Sequence, residues 1–174
     1  MIGRWTASLV VGAAMVLALA ACSPATLTTR PVESHEPGDT TVDFFRDDQA
    51  VGRLFVRVQS VVDGQVRFLI EVPYMVVNDY RLDDMALTFE ATTANPLITL
   101  EASHGDLTKN ISFDRNDSAV RLLIPDTGKS GDATVQLRFL ADANAFAGGG
   151  LRMHAALGFN AGNAVADLVI EPAP

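Results

Sequence analysis

Alternation of apolar and polar positions dominates the chain from residue 42 onward. In the clearest run, apolar residues stand at every second position from Val66 to Val72, with Arg67 and Glu71 among the residues between them. A period of two is typical of strands that bury one face and expose the other. The same period recurs at 53–59, 85–90, 120–124, 135–139 and 152–159, and shorter apolar pieces stand at 42–46, 97–102, 111–113 and 165–170.

Turn residues separate these runs. Asp63 and Gly64 stand between two alternating runs and give the strongest hairpin signal in the chain. Weaker turn signals occupy 95–96, 104–106, 116–118, 126–128 and 160–163. About nine or ten short strands without a long helical pattern predict an all-β fold, an antiparallel β-sandwich of immunoglobulin-like architecture that spans 42–174 as a single domain.

Residues 141–159 give a mixed signal. Alanines at 141, 143, 145 and 147 favour helix, and three glycines at 148–150 end it. We expect one short helical turn, a flexible loop and then a strand. A helix over 151–157 stays as the alternative.

The first 21 residues have the parts of a secretory signal. Arg4 supplies positive charge, an apolar core of eleven residues covers 9–19, and Ala20 and Ala21 precede the expected cleavage point. This core is shorter than the roughly 20 apolar residues of a spanning helix.

The end of this signal resembles the lipobox of prokaryotic lipoproteins, which reads Leu, small, small, Cys. Leu19, Ala20, Ala21 and Cys22 match it position by position. The resemblance implies cleavage before Cys22, a thioether-linked diacylglycerol on its sulfur and, often, acylation of the new amino terminus. Two acyl chains anchor a protein stably where one chain binds only marginally. Ordinary secretion and an uncleaved anchor remain the alternatives.

The resemblance also implies an address. Ser23 stands where an Asp would be associated with retention at the inner membrane. We therefore expect a protein anchored to the cell membrane or the outer membrane, facing the periplasm or the exterior.

Cleavage would change the composition of the mature chain. Cys22 is the only cysteine, so lipidation leaves neither an intrachain disulfide nor a cysteine nucleophile. Trp5, the only tryptophan, would leave with the signal, as would Arg4, which takes the formal net charge from −8 to −9. An acidic chain without a basic cluster argues against nucleic acid as a partner.

Residues 22–41 are predicted to be the lipidated cysteine followed by a flexible tether. Pro24, Pro31 and Pro37 disfavour helices and central strands, and few apolar residues accompany them. A flexible coil of this length would hold the domain on the order of 25 Å from the membrane.

No catalytic or metal-binding pattern is apparent. The histidines, His35, His104 and His154, show no metal-ligand spacing, and no Gly-x-Ser-x-Gly motif occurs. The adjacent carboxylates at 47–48 and 83–84 are interpreted as bulge or turn residues, and the acidic loops at 114–117 and 126–132 as ordinary turns rather than calcium sites. We therefore expect no enzyme activity, no metal and no cofactor.

The stretch 72–80 is the strongest candidate for recognition. It places Tyr74, Met75 and Tyr80 in a connection between strands, and Tyr and Met are enriched at interfaces. The competing interpretation is a crossover whose side chains cover the core. The glycine loop at 148–150 is a second candidate, as a mobile tip.

These observations favour a lipid-anchored, non-catalytic lipoprotein of the cell envelope whose β-sandwich binds a protein or another envelope component. The alternative is a ligand- or polysaccharide-binding module for uptake or wall attachment. Catalysis is a third hypothesis, which would gain support if His104 or His154 lay beside an Asp or Glu in a cleft.

Overall fold

Two antiparallel sheets pack face to face in the computed structural model, which describes residues 25–33, 38–74, 82–91, 98–104, 111–114, 119–123 and 133–172. The all-β prediction of an antiparallel sandwich is confirmed. The described residues form eleven strands, one more than the upper predicted number. The immunoglobulin-like arrangement stays a prediction.

The first sheet has six strands in the order β1-β2-β3-β4-β9-β6. Its strands are β1 (Thr28–Val32), β2 (Asp39–Arg46), β3 (Gln49–Val62), β4 (Gln65–Tyr74), β9 (Ala133–Asp142) and β6 (Ile98–His104). The second sheet has five strands in the order β11-β10-β5-β8-β7. Its strands are β11 (Gly162–Ile170), β10 (Leu151–Phe159), β5 (Leu82–Glu90), β8 (Ala119–Leu123) and β7 (Ile111–Asp114).

A cluster of phenylalanines joins the two sheets at the core. Phe68 of β4 stacks on Phe139 of β9, with ring centroids 5.2 Å apart. Phe89 of β5, from the facing sheet, meets both rings edge to face at 5.8 and 5.1 Å. Such pairs stabilise a core beyond the effect of area burial alone. The three rings are buried because the period of two points every second side chain inward.

The predicted hairpin at Asp63 and Gly64 is confirmed. These two residues have φ of 51° and 74°, and Val62 pairs with Gln65 directly across the turn. Positive φ at both central positions matches the twist of the flanking strands, and glycine adopts it without strain.

Asp47 and Asp48 form a second two-residue hairpin turn. Their φ values are 49° and 64°, and Arg46 pairs with Gln49 across them. The turn interpretation of this carboxylate pair is confirmed. Aspartate tolerates the left-handed region better than most side chains, which explains a turn without glycine.

The mixed signal at 141–159 is resolved as a short helical turn followed by a strand. A 3-10 helix covers Ala143–Phe146, and β10 begins at Leu151. The glycines between them all have positive φ. The alternative of a helix over 151–157 is wrong, because every second residue there is buried against the core.

The predicted tether is wrong over the described parts of 22–41. Residues 28–32 form β1, which pairs with β2 in full register, and β2 already begins at Asp39. Pro31 does not prevent this strand, because β1 is the edge strand of its sheet, where a missing N–H costs no ladder hydrogen bond.

The segment before β1 also joins the two sheets. The Leu27 N–H donates to the Asn163 carbonyl, and the Asn163 N–H donates to the Ala25 carbonyl, both at 2.8 Å. The Leu27 side chain is 4% exposed and belongs to the core. The sandwich therefore begins at Ala25 rather than at residue 42.

This arrangement defines two ends of the sandwich. The N-terminal end holds Ala25, the turn at 47–48 and the turn at 160–161, and an Arg46 guanidinium N–H donates to the Ala161 carbonyl at 3.1 Å. The opposite end holds the turn at 63–64 and the 3-10 helix, which are linked by the Ala143 N–H and the Gly64 carbonyl at 2.8 Å. Within the described residues, no helix has the length and apolar character needed to cross a bilayer.

Candidate functional site

A groove lies on the solvent face of the second sheet, where β5, β10 and β11 run side by side. It has a volume of about 460 Å³. Alternation along β10 buries Leu151 and Met153 and points Arg152 and His154 outward into the groove. The side chains that line it are mostly charged or apolar and exposed: Glu90, Arg152, His154, Asp167 and Val169.

His154 and Asp167 form a cross-strand pair in this groove. They are direct partners in the ladder of β10 and β11, and the His154 Nδ1 lies 2.7 Å from an Asp167 carboxylate oxygen. The side chains are 48% and 80% exposed. A histidine with an orienting carboxylate is the element of general acid–base catalysis that the sequence did not reveal.

The sequence missed this pair because its two members are 13 residues apart. The signal that would have found it is the turn between β10 and β11. A two-residue turn at 160–161 pairs Phe159 with Gly162, and counting back from that pair places His154 opposite Asp167. The turn signal in the sequence covers four residues, 160–163, and so does not fix the register.

This contact meets the condition under which the sequence would support catalysis. Both groups face water, however, which weakens the hydrogen bond between them and leaves no dry pocket around a reacting atom. Beside the pair, Arg152 lies between Glu90 and Val169 in the ladder. Among the described residues, no three metal-binding side chains cluster.

One exposed valine, Val169, lines the groove, and a second, Val165, lies farther along the same strand. They are 43% and 48% exposed and lie on either side of Asp167.

The solvent face of the first sheet is arranged differently, since its arginines are held by carboxylates on neighbouring strands. Arg53 binds Asp43 through two hydrogen bonds of 2.6 and 2.9 Å. Arg57 binds Asp39 at 2.7 Å and also lies over the Phe55 ring.

A third pair on the same sheet joins β4 to β6 across the strand between them, β9. Arg67 binds both oxygens of Glu101 at 2.7 and 2.9 Å. The hydrogen bonds from Arg67 hold the pKa of Glu101 below its ordinary value, and those to Glu101 raise the pKa of Arg67. With their donors engaged in this way, these arginines offer fewer hydrogen bonds to a ligand.

The residues predicted to be functional have the following positions. Tyr74 is the last residue of β4 and His104 the last of β6, while Cys22, Met75, Tyr80 and His35 lie outside the described residues. Tyr74 and Leu82, the first residue of β5, both lie toward the N-terminal end, because Leu82 pairs with Phe159 beside the turn at 160–161. The glycine loop at 148–150 lies at the opposite end.

Comparison with known protein families identifies the family to which the chain belongs. The family described as "Domain of unknown function (DUF8121)" matches residues 24–168. The chain belongs to the DUF8121 family. A search of curated proteins finds no match.

The extent of the DUF8121 match agrees with the bounds of the sandwich. It begins at residue 24, one residue before Ala25, and so includes β1 and the segment that joins the sheets. The groove on β5, β10 and β11 also lies within the DUF8121 domain except for Val169, which follows the last matched residue.

Proposed function

We propose that this protein is a lipid-anchored, non-catalytic lipoprotein of the cell envelope whose β-sandwich binds a protein or another envelope component. The observation that carries the anchor is the lipobox at 19–22, which follows an apolar core of signal length. The diacylglycerol on Cys22 holds the domain to the cell membrane or the outer membrane, facing the periplasm or the exterior.

The groove on β5, β10 and β11 supports the binding part of the proposal. It combines the charged side chains of Glu90, Arg152 and Asp167 with His154 and with the exposed Val169. Charged groups give a partner its orientation, and the aliphatic side chain contributes apolar area, which most stable contacts need.

The anchor is tested by mass spectrometry of the protein extracted from its native membrane. We expect a mature amino terminus at Cys22 carrying the mass of a diacylglycerol, and no such product from Cys22→Ser. A free Cys22 thiol in a membrane-extracted protein would contradict the anchor.

The binding face is tested by photo-crosslinking in the cell. A benzophenone amino acid replaces Val165 or Val169, on either side of Asp167, and Val62, which is 60% exposed at the opposite end, serves as the control. We expect a discrete cross-linked product from Val165 and Val169 that is absent from Val62. Equal or absent cross-linking at all three positions would count against this face.

A ligand-binding module is the second candidate, and the groove volume favours it. About 460 Å³ lies within the size range of sites for small ligands. Titration calorimetry with envelope oligosaccharides distinguishes the two candidates, because only the ligand-binding module gives heat that disappears in Arg152→Ala.

A further inference from the structure

The distance between the lipid and the folded domain is short. Ala25 is held in the sandwich by the Asn163 N–H, which donates to its carbonyl at 2.8 Å. Only Ser23 and Pro24 stand between Ala25 and Cys22. Three Cα–Cα steps span at most about 11 Å, so no longer tether separates the acylated residue from the sheet.

The contacts around Ala25 leave it little freedom. Gly162 lies so close that a Cβ at that position would be 2.2 Å from the Ala25 carbonyl oxygen. The following residue, Thr26, bridges to Asn163, and the Thr29 hydroxyl donates to the Val165 carbonyl at 2.8 Å. The anchored chain therefore enters the sandwich at one defined place, beside the turn at 160–161.

From these distances we infer that the N-terminal end of the sandwich is held against the headgroup surface of the bilayer. This rests on the proposed lipid anchor. The turns at 47–48 and 160–161 face the membrane, and the turn at 63–64 points away from it. The partner of this surface is a lipid bilayer, held by the acyl chains.

The chemistry of the N-terminal end fits contact with headgroups and not insertion among acyl chains. Asp47 and Asp48 have side chains that are 95% and 84% exposed. Of the five exposed valines among the described residues, Val61 and Val62 lie at the opposite end, while Val165 lies two residues along β11 from Asn163. Charged carboxylates do not enter a hydrocarbon layer, so the domain itself supplies little membrane affinity.

This orientation has a consequence for the groove. Val169 stands six residues along β11 from Asn163, which is about 20 Å at the rise of a strand. The groove is therefore presented away from the bilayer surface, where a partner in the surrounding compartment reaches it.

Two matched glutamines test the orientation. Gln49 and Gln65 are both exposed, and each is the first residue after a two-residue turn, at the N-terminal and opposite ends respectively. The 14 residues of β3 separate those turns by about 43 Å. Because Cys22 is acylated and no other cysteine exists, Gln49→Cys and Gln65→Cys each give a single labelling site.

Each acylated variant is labelled with a donor dye and reconstituted into phosphatidylcholine vesicles that carry an acceptor dye on a headgroup. We expect strong energy transfer from position 49 and weak transfer from position 65. Insertion of 20 Gly/Ser residues after Ser23 adds a flexible coil of about 25 Å and should bring the two signals together.

The outcomes separate the two proposals. If both labelled proteins float with the vesicles but transfer energy equally, or position 65 transfers more, the orientation is wrong while the anchor stands. An insertion that leaves the position-49 signal unchanged also overturns the orientation. If neither protein floats with the vesicles, the anchor fails and the orientation fails with it.

Discussion

Replacement of Gly162 by alanine tests whether the N-terminal segment belongs to the folded domain. Gly162 has φ of 144°, and the added Cβ would stand 2.2 Å from the Ala25 carbonyl oxygen. The substitution therefore meets two obstacles, an unfavourable backbone conformation and a backbone atom in the way. If Ala25 belonged to a flexible tether, its carbonyl would not block the added Cβ, and only the first obstacle would remain.

Gly149→Ala is the matched control, because only the first obstacle applies there. Gly149 has φ of 116°, and an added Cβ would have no atom within 4 Å of it. A Cβ in the left-handed region costs about 1–2 kcal/mol. Reduced entropy of the unfolded chain offsets about 0.4–1 kcal/mol of that. We expect Gly149→Ala to lower the free energy of unfolding by about 1 kcal/mol.

Gly162→Ala should cost clearly more. To relieve the clash, the Ala25 carbonyl must move, which breaks its bond from Asn163 and strains the bond from Leu27 to Asn163. Each backbone hydrogen bond contributes about 0.5–1.5 kcal/mol. The total is about 2–4 kcal/mol, which places the melting temperature of Gly162→Ala about 6 °C below that of the control.

The assay is unfolding of residues 23–174 in urea and by heat, followed by circular dichroism because these residues include no tryptophan. A chain that begins at Leu27 lacks the Ala25 carbonyl, so Gly162→Ala should then cost no more than Gly149→Ala. Equal costs of the two substitutions in the longer chain would refute the docking of Ala25, and the orientation inferred from it.

Three further predictions concern the core and the paired charges. Leu27→Ala should lower the free energy of unfolding by about 2–3 kcal/mol in urea titrations, because Leu27 is 4% exposed. Val32→Ala, at a position that is 37% exposed, should cost under about 1 kcal/mol. A Leu27→Ala variant of unchanged stability would instead support the predicted flexible tether. Phe89→Ala should cost about 3–5 kcal/mol by the same assay, since it removes a ring of the second sheet that packs against two rings of the first, and Phe89→Leu should cost less. The hydrogen bonds from Arg67 lower the pKa of Glu101 in the folded protein. The stability that this carboxylate contributes is therefore present above its ordinary pKa of 4.5 and is lost as the pH falls below 4.5. Arg67→Gln should therefore flatten the decline of the melting temperature between about pH 5 and pH 3, and only slightly because solvent screens the exposed pair; an unchanged decline would show that the pair has no such effect.

Much of the fold follows from local patterns. The period of two located six of the eleven strands and shorter apolar pieces located four more. The pair Asp63 and Gly64 located a hairpin turn, because side-chain direction and turn geometry are set by neighbouring residues. The missed strand, β1, has only exposed or half-buried side chains and includes Pro31. Its place is set by pairing with β2, a contact across more than ten residues that no local pattern carries.

In the candidate groove, too, the direction of the side chains was predictable from the sequence, whereas the contact between strands was not. Alternation predicted that Arg152 and His154 point outward, and the structure agrees. The partner of His154 depended on the register between β10 and β11, which a two-residue turn determines. An error in the length of that turn moves every cross-strand pair, so the His154 and Asp167 contact was not predictable from the pattern alone.

By itself the sequence determined the strand periodicity, the hairpin at 63–64 and the resemblance to a lipobox that ends at Cys22. Only the tertiary structure decided where the domain begins, because Ala25 and Leu27 are fixed by hydrogen bonds to Asn163, far along the chain. Because of those bonds, the predicted tether of nineteen residues after Cys22 is reduced to a connection of two, Ser23 and Pro24. Local composition reports what a segment favours when alone, whereas its conformation in the protein depends on what the rest of the chain places beside it.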